Sequence, residues 1–225
     1  MTRRVEFGID EFYHVFNRGT EKRNVFTRKA DYERFVALLY ACNRTESVRL
    51  DNGSGLQGRT LLKYVLSQPK KDGLVDICAY CIMPNHFHLL LREQVEGGIS
   101  KFMQKLITGY TMYFNKRYDR TGVLFQGKYK AVHADTDTYL KYLLAYIHLN
   151  PVKLFDPGRQ PKTAASRKDL GERLEKYAYS SYPDYLLNER DEGLILNKEA
   201  FPAFFESPAS LRRDMAEWIE LAKEI

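Results

Sequence analysis

The sequence predicts an α+β fold: a ferredoxin-like plait of order β-α-ββ-α-β-α, an antiparallel sheet with helices on one face, followed by a C-terminal helical extension. Three observations predict it. Strand-like and helix-spaced runs alternate between residues 12 and 149. Two strand-like runs in the middle are separated only by Pro84-Asn85, which suits a tight turn because proline fixes φ at its first central position. Beyond Pro151 the texture changes to a loop rich in Pro, Gly, Lys and Arg, then an aromatic stretch and a final helix.

The elements follow in chain order. Residues 12–17 (FYHVFN) form a β-rich run closed by Arg18-Gly19. Residues 28–43 have helical spacing, with Tyr32, Phe35, Leu38, Leu39 and Cys42 on one side. Residues 45–73 are a polar insertion punctuated by Asn52-Gly53, Gly55, Gly58 and Pro69, with a short helix expected near 61–66. Runs 75–83 and 86–92 make the central hairpin. After Gly97-Gly98, residues 99–118 return to helical period, and 123–131 carry strand character around Gly127. Residues 135–149 form a strong helix, with Asp135 or Thr136 as N-cap and Pro151 just past its end. The boundary is therefore placed at 153. Residues 1–153 hold the plait with its insertion, and 154–225 hold the extension, a loop of 156–168 and then mostly helix to 210–224.

Composition narrows the function. A 44% hydrophobic share excludes a disordered chain. No apolar run approaches the ~20 residues that span a bilayer, and the N-terminus lacks an apolar signal core, so a cytoplasmic protein is expected. The chain carries 35 Lys+Arg against 29 Asp+Glu, a net +6. Much of the surplus is local. Lys101, Lys105, Lys116, Arg117, Arg120, Lys128 and Lys130 face one acid, Asp119, within 101–130, and seven aromatic residues interleave them. Cations pair with phosphates and rings stack on unpaired bases, so this segment suits a nucleic-acid track. The alternative is a solvated helix face over a core stripe.

The cysteines carry little chemistry. Cys78 and Cys81 have CxxC spacing, but no second ligand pair completes a tetrahedral metal site. They sit in a strand-like run, where i and i+3 point to opposite faces, so both read as core thiols. No P-loop or G-x-S-x-G motif is present.

Two constellations remain. His86-Phe87-His88 lies in a strand, where i and i+2 share a face, so both imidazoles project together and can hold one divalent metal. Tyr142, Tyr146 and Asn150 are spaced i, i+4, i+8 on one helix and form one stripe. A tyrosine can attack a phosphodiester that a metal polarises, and an Asn carboxamide oxygen can be a third ligand to a hard ion. Spacing alone allows either tyrosine as nucleophile. Tyr146 is one turn from Asn150 and closer to the helix end broken by Pro151.

Together, YHVFNRG (13–19), YCIMPNHFHLLL (80–91), GVLFQGKYKAV (122–132) and YLLAYIHLNPVK (142–153) resemble, in order, the REP-associated tyrosine transposases. These are a branch of the IS200-like, single-tyrosine HUH transposases, where HUH denotes His-hydrophobic-His. The resemblance runs from about Tyr13 to Tyr185, where YAYSSYPDY is similar to the family's post-catalytic segment. It implies that residues 1–153 are a catalytic domain, that His86, His88 and Asn150 hold Mg²⁺ or Mn²⁺, and that Tyr146 attacks single-stranded hairpin DNA to leave a 5′-phosphotyrosine link. It implies no nucleotide cofactor, no membrane, and a monomer or homodimer. A non-catalytic DNA-binding descendant and a nicking enzyme of the replication or conjugation type are the alternatives.

Overall fold

The computed structural model describes residues 5–46, 50, 60–68, 72–155, 164–186, 190–204 and 207–221. Much of the polar insertion thus lies outside the described residues. Strands β1 (Phe12–Arg18), β2 (Val75–Met83), β3 (His86–Glu93) and β4 (Lys130–His133) form one antiparallel sheet in the order β2-β3-β1-β4. With α1 (Lys29–Cys42), α2 (Leu61–Leu66), α3 (Gly98–Arg117) and α4 (Asp137–Leu149), this is the expected plait with a short helix in the insertion. Thr60 caps α2 and Thr136 caps α4, each hydroxyl accepting a first-turn backbone N–H.

One sheet face is the main core. Tyr13 and Val15 of β1, Ile77, Tyr80 and Ile82 of β2, and Phe87, Leu89 and Leu91 of β3 pack against α1 and α3. The helices are not all on that face. Cys78, Ala79, Cys81, Met83 and Leu90 turn the other way and meet Leu140, Leu143, Leu144 and Ile147 of α4. The physical reason is β2, whose nine residues are all buried. A strand apolar on both faces needs cover on both.

Helix α5 (Val152–Phe155) straddles the expected boundary at 153, and the extension contributes α6 (Ala164–Glu175), α7 (Tyr182–Leu186) and α8 (Pro208–Leu221). Leu170, Leu174, Leu211 and Met215 of its helices share a cluster with Ala145 and Leu149 of α4. Its aromatic segment closes the outer edge of β2. Ile82 N–H donates to Tyr179 O at 2.9 Å, Ser181 N–H to Tyr80 O at 2.9 Å, and Tyr80 N–H to Ser181 Oγ at 2.9 Å. The hydroxyls of Tyr177 and Tyr185 donate to the carbonyls of Ile82 and Cys78. These contacts satisfy an edge that would otherwise be free to pair with another chain. Among the described residues no helix is long and apolar enough to cross a membrane.

Three local expectations are corrected. The fourth strand begins at Lys130, because Leu124 and Phe125 are buried as a loop and Gly127 turns the chain at φ 69°. Cys78 and Cys81 share a face, because a bulge between Ile77 and Ala79 shifts the alternation by one; both remain free, buried thiols. Residues 164–168, expected in a loop, open α6.

Candidate active site

The site begins with the alternation of β3. Phe87, Leu89 and Leu91 enter the α1–α3 core, which sends His86, His88 and Leu90 to the α4 side. A one-residue slip would bury both imidazoles in that core, so the aliphatic half fixes where the polar half points. The two rings stand edge to face with centroids 5.0 Å apart.

Strand register adds residues that spacing within one strand does not show. Phe16 of β1 is paired with His88, and Arg18 with His86, so these side chains share the histidine face. His14 shares it too. Its Nε2 lies 2.8 Å from His88 Nδ1, and its ring stacks at 4.9 Å on Phe16. His86 Nδ1 lies 2.6 Å from Asn85 Oδ1. Both imidazoles are thus held through Nδ1, and each turns Nε2 to the site.

The end of α4 supplies the rest. Asn150 donates from Nδ2 to the Tyr146 carbonyl at 2.9 Å, and its side chain is within hydrogen-bond reach of His86 and of the Tyr146 hydroxyl. The Tyr146 ring lies 5.5 Å from His88 and 5.8 Å from His14, edge-on to both. Tyr142 is 6.0 Å from Tyr146 and packs at 5.3 Å on Trp218 of α8. The fold therefore brings Tyr146, and not Tyr142, to the histidines.

Burial sets the protonation states. It drives His14 down to about 4 and His88 well below the usual imidazole range. It also lowers His86, against an opposing hydrogen bond from Asn150. All three rings are neutral near neutral pH, with lone pairs available. Burial raises the Tyr146 hydroxyl, which Tyr142 raises further and Asn150 lowers, so the phenol keeps its proton. Cys81 lies across from His88, and burial raises its thiol far above the thiolate range, so no soft ligand enters.

The donor set that would meet a divalent ion of the Mg²⁺ or Mn²⁺ type is made of neutral groups. Among the described residues no three His, Cys, Asp or Glu are placed to hold one ion together. The protein ligands available are two imidazole Nε2 atoms and the Asn150 Oδ1, which the Nδ2 bond leaves free to face the site. Neutral nitrogen and amide oxygen donors suit an ion whose remaining positions are taken by water and phosphate oxygens.

The expected cations are distributed unevenly. Lys130 is exposed on the histidine face, since it pairs with Phe16, and exposed Lys128 is in the turn before it. Lys116, Arg117 and Arg120 close α3 or follow it, in the opposite layer; Arg117 is 3.9 Å from Asp31 and Arg120 lies over the Phe114 ring. Lys101 is exposed on the first turn of α3, and Lys105 donates to the carbonyls of Arg44 and Glu46 near the end of α1. Sequence reasoning missed His14, Arg18 and Lys153. Arg18 and Lys153 are the positive neighbours of His86, and Lys153 also acts on His88. The signal for His14 was the Phe12-His14-Phe16 alternation, a ring nitrogen placed on an otherwise aromatic strand face.

The model of the IS200-like transposase family matches residues 11–150, a span that begins just before β1 and ends on Asn150. The chain belongs to the IS200-like transposase family. Every residue of the site except Lys153 falls inside that span. No curated protein matches the chain. Among solved structures, a REP-associated tyrosine transposase bound to a REP hairpin is similar, with a TM-score of 0.53 at 10% identity over 85% of this chain and 90% of that one. At that identity the likeness bears on the fold alone of this IS200-like chain.

Proposed function

We propose that the protein is a divalent-metal-dependent tyrosine transposase of the REP-associated branch, which cleaves and rejoins single-stranded hairpin DNA in the cytoplasm without a nucleotide cofactor, as a monomer or homodimer. The observation that carries this reading is the convergence of His86, His88 and Asn150 beside Tyr146. Family membership and the hairpin bound to the similar structure support the substrate class.

His86, His88 and Asn150 would hold the ion, which when bound polarises the scissile phosphate. The protein's own part follows from the geometry. His14 and Asn85 fix the two imidazoles through Nδ1, so neither ring needs to reorient on binding. Arg18 and Lys153 draw the phosphate toward the pair. Tyr146 Oη bonds to phosphorus as its proton departs; the bond to the 3′ oxygen breaks, and that oxygen takes up a proton. The products are a 5′-phosphotyrosine link and a free 3′-hydroxyl. Attack by a 3′-hydroxyl reverses the step on the same or another strand, so the bond energy is conserved in the link.

The test is incubation with repeat-derived DNA hairpins and Mg²⁺ or Mn²⁺. Cleavage that EDTA stops and Mn²⁺ restores supports the proposal. Tight hairpin binding with no cleavage under any divalent ion would instead favour the non-catalytic DNA-binding reading.

A further inference from the structure

On the histidine face α4 packs over β2 and β3, and at the far end Phe201 of the extension packs on Phe12 of β1. Where β1 meets β4, His14 is buried beside the Tyr146 ring, and the face is open around Phe16, Arg18, Lys130 and Val132. Its floor is Phe16, partly exposed, and Val132, 40% exposed; its rims are Arg18 and Lys130, both exposed. Register shows that these four share the face: Phe16 pairs with Lys130, His14 with Val132, and Arg18 with His86.

We infer that this open half-sheet is a subsite for an unpaired nucleotide next to the scissile phosphate, with Phe16 as the stacking ring and Arg18 and Lys130 as phosphate contacts. The inference rests on single-stranded DNA being the substrate of the proposed site. Four observations carry it. The Phe16 ring is held near-parallel to His14 and to His88, at 4.9 and 5.8 Å, so it is fixed before any ligand arrives. Lys130, Phe16 and His88 form one row across the sheet, which sets the Lys130 backbone about 10 Å, two strand spacings, from that of His88. Neither cation has an ion-pair partner among the described residues, and neither β1 nor β4 contains an acid. An apolar floor between unpaired cations matches a polyanion that carries flat rings, and single-strand binding sites combine those two elements.

The subsite also gives a role to the basic segment. Of its seven cations, Lys130 lies on the reacting face, and the nucleotide it contacts is fixed by sheet register rather than by helix α3.

The experiment uses the full chain as Tyr146→Phe, so that complexes are not consumed. Two probes are compared: a repeat-derived hairpin with an unpaired tail carrying 2-aminopurine beside the cleavage junction, and the same hairpin without the tail. The tail should raise affinity, and its 2-aminopurine should be quenched on binding. Phe16→Leu should weaken binding of the tailed probe about tenfold and relieve the quenching, with the tailless probe unaffected. Lys130→Glu, an exposed change that spares packing, should weaken the tailed probe and lower its salt slope by about one or more. If both variants bind the tailed probe as tightly as the parent with quenching intact, the subsite is refuted while the DNA-substrate reading stands. If the parent binds neither probe, the underlying reading itself fails.

Discussion

Alternate residues of β3 meet two different environments. Phe87, Leu89 and Leu91 pack between the sheet and helices α1 and α3, whereas His86 and His88 face the end of α4 beside Tyr146. On the first face, buried polar groups are spent on structure. The Tyr110 hydroxyl donates to the Val25 carbonyl, and Asp31 accepts from Thr27, Arg28, Tyr113 and Tyr118. On the second face, each imidazole uses one nitrogen for structure and leaves the other to the site. The same strand thus supplies rigidity on one side and lone pairs on the other, and the rigid side determines where the lone pairs point.

The largest expected effect separates these two roles. His86→Ala or His88→Ala should abolish cleavage, leave hairpin affinity near that of the parent, and shift the unfolding midpoint little. Phosphate contacts made elsewhere carry most of the binding. A large fall in hairpin affinity would show that the histidine face binds DNA rather than acting on it. Phe87→Ala should do the reverse. It removes a fully buried ring from the first face and should cost about 3–5 kcal/mol in denaturant unfolding, while the fraction that stays folded still cleaves. A Phe87→Ala protein as stable as the parent would contradict the assignment of that face as the core.

A smaller effect concerns pH. Burial lowers His14 from 6.5 to about 4 and His148 from 6.5 to about 3. The unfolded chain therefore binds protons that the folded chain refuses. The stability these groups contribute is fully present above about pH 6.5 and is lost as pH falls toward about 4, with a slope of up to ~1.4 kcal/mol per pH unit for each group. Thermal unfolding at about pH 7 and about pH 5 should give the lower midpoint at the acidic pH, and His14→Gln should reduce the difference. An equal midpoint at both would show that these rings are not held neutral by burial.

Much of this division was legible in the sequence. Period-two alternation in HFHLLL placed both histidines on one face, and the i, i+4, i+8 stripe placed Tyr146 and Asn150 together. Two features were not legible, for a shared reason: they depend on register between strands. His14 reaches His88 only because β1 pairs with β3 in a particular alignment, and Arg18 meets His86 by the same pairing. The bulge that turns Cys78 and Cys81 to one face is likewise invisible to a count of residues. The position of α4 on the second face had a signal in the apolar run Ile77–Met83 of β2, which asks for cover on both sides. Lys153 lies beyond the helix that carries Tyr146, and only the short α5 turn returns it to the histidines.

The proposed reaction requires that Tyr146, and not its helical neighbour, meet the phosphate. The most direct measurement is denaturing gel electrophoresis of the protein after incubation with a repeat-derived single strand and Mn²⁺, comparing Tyr146→Phe with Tyr142→Phe. Tyr142, packed on Trp218, lies farther from the histidines. A shifted covalent protein–DNA band is expected for the parent and for Tyr142→Phe, and none for Tyr146→Phe, which should still bind the hairpin. A shifted band that persists in Tyr146→Phe would contradict the assignment of Tyr146.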